Sequence, residues 1–448
     1  MSISPQETTD QMEGNSVATT NATFSILISS DPQYPWYDQV LPPGLTTDDE
    51  IKSNSDRQIR QKYESMNLLA KQRQDSGSSF QVQGVLVNGD LTAFGHDWQK
   101  TEYDETIALL TPKYYPALGN HDYANNVDDS YNNNCASRMV DYMYGWLKAN
   151  SGILNYDFSD RSYYKFPELR TDYTGSLSYS FNLGNVHFVQ LQNFPSYTDD
   201  WNSWNFGGAR RDFYFIKPSF YWLRNDLAIA RNRGDIILVS LHDYHDNFVN
   251  GVAEFNSIMQ TYGVSAVFAG HIHPDCGLIG TIEGTSIPFF RSGSASYQDY
   301  LVADIDTTQK TINVQKWACP YDGNYGPDGA SWSYPLNASK PTPPLPVPPT
   351  LGYVTFFNEG GFVARFELQY TFNGERFSFA TGDMNPGNKK SYDIPPYATD
   401  IWLIGKEQTG LVWEGWRTVF DLNYNAPPNK CYKLYNTTLN PKWNNDCS

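Results

Sequence analysis

The chain has 448 residues, 40% of them hydrophobic, and a formal net charge of −17 at pH 7. This length and composition are typical of a globular protein with two or three domains and a sizeable core. The strong negative charge argues against nucleic acid, or an anionic membrane, as a partner held by bulk electrostatics. No run of about 18 apolar residues occurs, so we expect no membrane-spanning helix.

The opening segment, MSISPQETTDQMEGNSVATT, has neither the positive nor the apolar part of a signal peptide. We interpret residues 1–21 as a loose N-terminal tail. The many Asn, Tyr and Trp residues nevertheless favour a secreted, extracellular protein.

Five cysteines are present and none form a CxxC pair, which excludes a zinc ribbon. Cys431 and Cys447 bracket the last segment and could form a disulfide in an oxidising compartment. Because the total is odd, at least one thiol stays free in a monomer.

Short apolar segments recur through the first 270 residues, and each ends in polar residues or glycine. They are FSILISS, VQGVLVNGD, YYPALGN, NVHFVQL, DIILVSLH and VSAVFAGH, and their length and composition predict strands. Helical periodicity lies between the first two segments, at residues 59–69, and again before DIILVSLH, at residues 220–227. SLSYSFNLGNVHFVQLQ predicts a hairpin that turns at Asn185. The pattern predicts an α/β domain with a mixed β-sheet core flanked by helices.

A proline-rich segment, KPTPPLPVPPT at residues 340–350, predicts a stiff spacer of polyproline II type. We therefore predict a catalytic domain at residues 22–333, a linker at 334–350 and a small domain at 351–448. In that last part YVTFFNE, FVARFELQYTF, RFSFATG, DIWLIGKE and LVWEGWRTVF alternate with turn residues and show no helical period. The pattern predicts an all-β sandwich.

Five of the predicted strands in the large domain are followed by side chains that bind metals. They are Asp31 and Gln33, Asp90, Asn120 and His121, His242, and finally His271 and His273. Because such loops converge at one edge of an α/β sheet, we expect these groups to meet in space. Carboxylate, imidazole and amide oxygen suit Mn, Fe, Zn or Mg. If one carboxylate bridges, the set can hold two divalent ions that act on a phosphoryl group.

The ordered blocks DPQ, GD, GNHD, a single His and GHIH resemble the calcineurin-like metallophosphoesterase family over residues 22 to 330. The resemblance implies a hydrolase, a phosphatase or phosphodiesterase, that uses two divalent ions. It assigns Asp31 and His273 to the first ion, with Gln33 beside them, and Asp90 to a bridging role. It assigns Asn120, His242 and His271 to the second ion. His121 is then the acid that protonates the leaving alkoxide.

Two positions differ from the family pattern. Gln33 stands where the usual DxH block has histidine, so we expect the first ion to be held more weakly. Ala93 stands where the GDxxDRG phosphatases have an Asp that orients the catalytic histidine, and Asp122 is a candidate to replace it. Four of the seven histidines fall inside the blocks; we interpret His96 and His245 as loop residues and His187 as structural.

Trp413 and Trp416 lie three residues apart, and on a regular strand they cannot share one face. EQTGLVWEGWR is similar to the undecapeptide ECTGLAWEWWR of the cholesterol-dependent cytolysins, from which it differs at Gln408, Val412 and Gly415. NTTLNP resembles the nearby sterol-recognition loop of that family, which assigns this role to Thr438 and Leu439. The resemblance implies a membrane-binding sandwich, possible recognition of sterol, and a link to toxins.

The sequence thus predicts a monomeric, metal-dependent phosphoesterase that a cytolysin-like domain directs to membranes or cell surfaces. The alternative is a membrane- or glycan-binding protein, or toxin component, whose metal site is vestigial. A pore-forming fragment is disfavoured, because no segment outside the sandwich offers long amphipathic hairpins.

Overall fold

The computed structural model describes residues 23–36, 47–165, 168–205, 210–319, 324–337, 352–372, 375–395, 398–408, 415–424 and 427–446. The chain divides into two compact units, Met1–Pro343 and Pro344–Ser448. Among the helices in these ranges, none has the length and apolar content needed to cross a bilayer.

The first unit contains fifteen strands and five α-helices within its described residues. The strands are β1 (Thr23–Ser29), β2 (Val82–Val87), β3 (Tyr114–Pro116), β4 (Asn155–Lys165), β5 (Glu168–Leu183), β6 (Val186–Gln190), β7 (Asp199–Asn205), β8 (Arg210–Ile216), β9 (Ile236–Leu241), β10 (Ala266–Ala269), β11 (Cys276–Thr281), β12 (Pro288–Ser292), β13 (Asp299–Asp306), β14 (Thr311–Ala318) and β15 (Gly326–Pro335). The helices are α1 (Asp48–Asp75), α2 (Asp97–Ile107), α3 (Asn134–Ala149), α4 (Phe220–Arg233) and α5 (Val252–Thr261), with 3₁₀ turns at Ala124–Asn126 and Tyr131–Asn133.

Two mixed sheets form the core of this unit. One has six strands in the order β15-β14-β13-β1-β2-β3, and the other follows the order β11-β12-β10-β9-β6-β5-β8-β7, with β4 paired to β5. The sheets pack face to face through aromatic rings: Phe24 of β1 lies 6.4 Å from Phe188 of β6, measured between ring centroids, and Tyr115 of β3 stacks on Phe181 of β5 at 3.7 Å. Strands β1, β2 and β3 run parallel, as do β6, β9, β10 and β12.

Helix α1 shows why the predicted helical period appears between β1 and β2. Its N-terminus carries a capping box, in which the Glu50 amide donates to Thr47 Oγ1 and the Thr47 amide donates to Glu50 Oε2. Its buried face contains the apolar residues at the spacing of the sequence pattern, Ile59, Tyr63, Met66 and Leu69. The β5–β6 hairpin likewise turns at Gly184 and Asn185, as predicted.

The second unit is made of strands only in its described residues. They are β16 (Gly352–Asn358), β17 (Ala364–Phe372), β18 (Glu375–Ala380), β19 (Lys389–Ile394), β20 (Thr399–Gln408), β21 (Trp416–Tyr424), β22 (Asn429–Tyr435) and β23 (Lys442–Asn444). They form two four-stranded sheets, β19-β16-β22-β23 and β18-β17-β20-β21. One apolar cluster lies between these sheets, with Phe356, Phe366, Leu403 and Tyr432 fully buried.

The predicted fold class is confirmed: a mixed-sheet sandwich flanked by helices, and then a small all-β unit. Strand β15 continues to Pro335 and the Leu336 amide donates to Lys310 O, so ordered structure of the first unit extends past residue 334, where we predicted the linker to begin. The predicted tail at 1–21 and the proline-rich segment at 340–350 lie outside the described residues.

Candidate metal centre and active site

The predicted ligands all follow strands whose ends meet at one edge of the two-sheet core. Asp31 and Gln33 follow β1, Asp90 follows β2, and Asn120 and His121 follow β3 in the first sheet; His242 follows β9, and His271 and His273 follow β10 in the second. The structure brings five of them together in two overlapping groups, and His271 also forms a third group with Asp243 and Asp246. Asp90, His242 and His271 offer ligand atoms within 4.8 Å of one another, and so do Asp31, Asp90 and His273. Asp90 is common to both of the groups that consist of predicted ligands.

Four of these residues have a left-handed backbone conformation, which residues other than glycine rarely adopt. Their φ angles are positive: 48° at Asp31, 44° at Gln33, 51° at Asp90 and 72° at His271. Each costs about 1 kcal/mol or more of local strain, and such strain concentrates at functional sites. The backbone therefore turns sharply after each strand and directs these side chains into the site.

Glycines beside the ligands allow the loops to approach one another closely. A Cβ at Gly119, next to Asn120, would overlap the Asp90 carboxylate, and a Cβ at Gly270, next to His271, would overlap Ser30 Oγ. The glycines of the GNHD and GHIH blocks are thus required by packing between loops.

His242 is fully buried and its ring orientation is fixed. Its Nδ1–H donates to Asn88 O at 2.8 Å, so in the neutral ring Nε2 carries the lone pair. Nε2 lies 2.9 Å from Asn120 Oδ1 and 3.3 Å from Asp90 Oδ2. Burial lowers the pKa of His242, but the carboxylates of Asp90 and Asp31 more than offset this effect and raise it to about 9. This point in the structure therefore favours positive charge.

Buried polar atoms without partners provide a test of whether these residues fit a metal. Among the described residues, Asp31 Oδ1, Asp90 Oδ2 and both amide atoms of Gln33 have no hydrogen-bond partner, and their side chains are almost fully buried. Unsatisfied carboxylate oxygens inside a protein are costly, unless a cation compensates them. Oxygens at this position, together with imidazole nitrogens, are the ligand set of divalent first-row metals and Mg²⁺. The residues fit the ions that the sequence predicts.

The histidines of the GHIH block are held by carboxylates. The His271 amide donates to Asp31 Oδ2 at 3.0 Å, and His273 Nε2 lies 3.6 Å from Asp31 Oδ1. His271 Nε2 lies 2.8 Å from Asp246 Oδ2, so the neutral ring keeps Nδ1 as its free nitrogen. A carboxylate behind a metal-binding histidine fixes its tautomer and its orientation. Sequence reasoning missed Asp246, although it lies four residues after His242 in the same loop.

His121 belongs to the same site and is not one of the residues in the two ligand groups. Its amide donates to Asp90 Oδ1 at 2.9 Å, and its ring Nδ1 lies 3.0 Å from Ala93 O. Ala93 stands where the GDxxDRG phosphatases have an aspartate, and its backbone carbonyl is the hydrogen-bond acceptor for the His121 ring. With Nδ1–H donated to this carbonyl, Nε2 is the nitrogen available to a substrate.

Asp122, which we considered as a replacement for the aspartate that orients the catalytic histidine in related phosphatases, makes different contacts. Its carboxylate accepts hydrogen bonds from the amides of Leu91, Thr92 and Gly119 and from Thr92 Oγ1, at 2.9–3.0 Å. Burial, and then the charge of Asp90, raises the pKa of Asp122 to about 7. The suggestion that Asp122 orients the His121 ring is therefore corrected: Asp122 ties together the loops after β2 and β3.

The remaining histidines lie apart from the two ligand groups. His187 is buried between Asp226 Oδ2 at 2.8 Å and Asn182 Oδ1 at 2.7 Å, a structural arrangement. His96 lies at the start of α2, with its Nδ1 3.4 Å from Cys135 Sγ, and His245 is exposed.

Two aromatic residues near His121 were also missed by sequence reasoning. The ring centroid of Trp36 lies 5.2 Å from that of His121 and 6.0 Å from that of His273, and Phe94 lies 6.2 Å from His121. Trp36 closely follows the DPQ block and Phe94 follows the GD block, so their position after predicted ligands could have identified them.

In the second unit, the structure describes only part of the predicted membrane loops. Trp413 lies outside the described residues. Trp416 begins β21, where the Arg365 guanidinium lies 4.1 Å from its ring centroid. Leu439 is 92% exposed at a turn. Arg417 donates to the buried Glu407 and to Thr438 O, which connects β21 with the turn that carries Leu439.

The cysteines of the chain differ in state. Cys135, Cys276 and Cys319 are not in a disulfide, whereas Cys431 is disulfide-bonded. Cys447 lies outside the described residues.

Comparison with known proteins gives two family matches. The model of the calcineurin-like phosphoesterases matches residues 24–275, and that of the thiol-activated cytolysin beta sandwich domain matches residues 353–442. Alveolysin of Paenibacillus alvei is 32% identical over 108 residues, which cover 20% of this chain and 21% of alveolysin. Listeriolysin O of Listeria monocytogenes serotype 4a is 34% identical over 110 residues, 21% of this chain and 20% of the toxin. The chain thus spans about a fifth of the length of these relatives.

Solved structures with similarity to the chain include two cytolysins. The membrane-binding domain of pneumolysin is 19% identical, with a TM-score of 0.18, and the match covers 22% of this chain and 96% of that one. Listeriolysin O is 18% identical, with a TM-score of 0.19, over 34% of this chain and 46% of that one.

The phosphoesterase match covers more than half of the 448 residues, and it includes every strand end that supplies a predicted ligand. The chain therefore belongs to the calcineurin-like phosphoesterases, and it also carries a thiol-activated cytolysin β-sandwich domain.

Proposed function

We propose that this protein is a binuclear metal-dependent hydrolase of phosphate mono- or diesters, directed to membranes or cell surfaces by its β-sandwich unit. The observation that carries the proposal is the position of Asp90. Its carboxylate belongs to both groups of ligand atoms, and its Oδ2 has no hydrogen-bond partner among the described residues. A shared carboxylate of this kind suits a pair of cations.

Asp31, Gln33 and His273 would hold the first ion, Asn120, His242 and His271 the second, and Asp90 both. Mn, Fe, Zn or Mg ions bound there would supply Lewis acidity toward the attacking water and the phosphoryl oxygens. Gln33 contributes a neutral amide oxygen where related enzymes have imidazole. We therefore expect the first ion to dissociate more easily than the second.

His121 acts on the leaving group. Because the Ala93 carbonyl holds Nδ1–H, the second proton of the imidazolium lies on Nε2, which faces away from that carbonyl. In hydrolysis, a water oxygen forms the new bond to phosphorus and the ester P–O bond breaks. The Nε2 proton passes to the departing oxygen, which leaves the ring neutral with Nδ1–H in place. The attacking water loses one proton to solvent, and the ring takes up a proton from solvent before the next turnover, so the sum is ester plus water giving alcohol plus phosphate.

In this proposal, the β-sandwich unit binds the membrane and so determines where the hydrolase acts. Leu439 extends into solvent, and its turn is connected by Arg417 to β21, the strand that follows the tryptophan-rich segment. An exposed apolar side chain at a loop tip can insert into the boundary of a lipid layer. We propose that the protein is a secreted monomer and that sterol-containing membranes are its binding surface.

Leu439→Asp is expected to lower the affinity for cholesterol-containing liposomes roughly 10- to 100-fold. The change removes the apolar area that the membrane would bury and replaces it with a charge. Sedimentation with liposomes, with and without cholesterol, measures the effect. Asn440→Asp is the matched control, because it adds the same charge to the same exposed turn without loss of apolar area. Equal binding by wild type and Leu439→Asp would remove this turn from the membrane contact.

The hydrolase is tested with the full chain, Mn²⁺ and a panel of phosphate mono- and diesters. We expect turnover of at least one class. Liposome binding without turnover under any divalent ion would overturn the proposal and favour a binding protein with a vestigial site.

A further inference from the structure

A cleft of about 520 Å³ opens beside His121, and the proposed hydrolysis does not yet use it. Its walls come from the loop after β2, the start of α2, and the segment that leads into α3. We name it the aromatic cleft, and define it by six of its lining residues: Phe94, His96, Trp98, Asn126, Tyr131 and Arg138.

The aromatic cleft shares a wall with the proposed proton donor, because residues that line it also contact His121. Phe94 lines the cleft, and its ring centroid lies 6.2 Å from that of His121 in an edge arrangement. Asn126 also lines it, and its Nδ2 donates to His121 O at 2.8 Å. Two cleft residues thus contact His121, one at its ring and one at its backbone oxygen, so the cleft lies one side chain away from this residue.

Flat aromatic surface dominates the exposed area of the cleft. Phe94 is 44% exposed, Trp98 45% and Tyr131 80%. Trp98 packs against three of the described side chains: its ring lies parallel to that of His96, with centroids 6.4 Å apart, it meets the ring of Tyr34 edge-on at 5.9 Å, and Lys52 Nζ lies over the ring at 4.7 Å from its centroid. Rings that are held by the protein and exposed to solvent can stack on a planar ligand, and at Trp98 such a ligand takes the part of the ring that His96 and Lys52 leave exposed.

The charges of the cleft are largely compensated within the protein. Arg138 Nε lies 3.2 Å from Asp97 Oδ1, and Arg138 Nη1 donates to Gly95 O at 3.0 Å. Asp129 adds a further negative charge to the wall. The cleft is therefore poorly suited to a second phosphate and well suited to a neutral, flat group.

From this geometry we propose that the aromatic cleft binds the leaving group of the substrate, and that this group carries a planar aromatic ring. The inference rests on the proposed function: His121 protonates the departing oxygen, so the space beside His121 receives the alcohol that departs. The chemistry fits two sources, an aryl alcohol and a nucleoside. The cleft then sets specificity by stacking, while the phosphoryl group stays at the metal centre.

The test compares phenyl with cyclohexyl esters and adenosine 5′-esters with ribose 5-esters, each as the phosphate monoester and as the methyl diester. Trp98→Ala and Tyr131→Ala are measured against wild type. We expect kcat/KM to fall about tenfold for phenyl or adenosine esters and to stay within about twofold for the cyclohexyl and ribose esters. Because each ester is compared with itself in two proteins, intrinsic leaving-group reactivity cancels. A loss confined to phenyl esters identifies an aryl alcohol, and a loss on adenosine esters identifies a nucleoside.

Tyr164→Ala is the control, because Tyr164 is 66% exposed on β4, outside the cleft lining. Equal losses on all esters, or no loss on any, would overturn the cleft proposal and leave the hydrolase intact. If wild type turns over none of the esters, the proposed function fails instead. Saturation-transfer NMR with adenosine and ribose then tests binding in the cleft without turnover. An adenosine signal that is lost in Trp98→Ala supports the cleft proposal, and equal adenosine signals in wild type and Trp98→Ala refute it.

Discussion

Asp90→Asn is expected to lower kcat/KM for phosphoester hydrolysis by about 10³-fold or more. The loss should persist at Mn²⁺ concentrations that give wild type its full activity. The carboxylate is the only member common to the two groups of ligand atoms in the described residues, and the change removes its charge from both. Charge stabilisation by bound ions contributes several kcal/mol to such reactions, and each 1.36 kcal/mol corresponds to a factor of ten. The comparison of initial rates for wild type and variant measures it.

The amide introduced by Asp90→Asn keeps the size of the side chain and an acceptor for the His121 amide, so the fold should persist, and circular dichroism checks this. Asp75→Asn is the matched control. It removes the same charge from an exposed ion pair with Lys71 at the end of α1, and the rate should stay within about twofold. Full activity of Asp90→Asn would show that the reaction does not depend on this centre.

His121→Gln is expected to lower kcat about 10²- to 10⁴-fold for alkyl phosphoesters, and far less for 4-nitrophenyl esters. An alkoxide needs a proton as it departs, whereas 4-nitrophenolate is stable without one, so the loss of a proton donor affects the first class selectively. Rates for both ester classes, measured in the same two proteins, give the result.

Metal content is the control for this variant. His121 is absent from both groups of ligand atoms, so His121→Gln should retain as many ions as wild type. A loss of metal, or an equal loss of rate for alkyl and 4-nitrophenyl esters, would contradict its role as the acid.

The positions of the ligands could be predicted because strand periodicity and ligand chemistry coincide in the sequence. DPQ, GD, GNHD and GHIH each stand at the end of an apolar segment, and parallel strands place such ends at one edge. The strands of the second unit and the hairpin at Asn185 were predictable for the same reason, since their alternation of apolar and polar residues is regular.

Strands β4 and β7 of the larger sheet were not predicted, because apolar and polar residues do not alternate along them. Strands β4 and β7 read NYDFSDRSYYK and DDWNSWN, polar segments whose strand character comes from pairing with β5 and β8. Helix α3 could have been predicted from the sequence but was not. Its buried face contains apolar residues at helical spacing: Met139, Val140, Met143 and Leu147.

The contacts behind the ligands were beyond sequence reasoning for a different reason. The acceptor for His121 is the backbone oxygen of Ala93, and a backbone atom leaves no residue-type signal. The partner of His271 is Asp246, whose contact depends on the path of the loop after β9. The aromatic cleft similarly combines residues from two separate segments of the chain, Phe94 to Trp98 and Asn126 to Arg138.

Metal stoichiometry tests the central claim most directly. The full chain is incubated with Mn²⁺, dialysed into metal-free buffer at neutral pH, and analysed by inductively coupled plasma mass spectrometry beside Asp90→Asn. We expect up to two ions per wild-type chain, with the weaker site partly emptied because Gln33 offers only a neutral oxygen, and at most a small fraction of one ion in the variant. Equal metal content in wild type and Asp90→Asn, or none in either before and after dialysis, would contradict a binuclear centre built around Asp90.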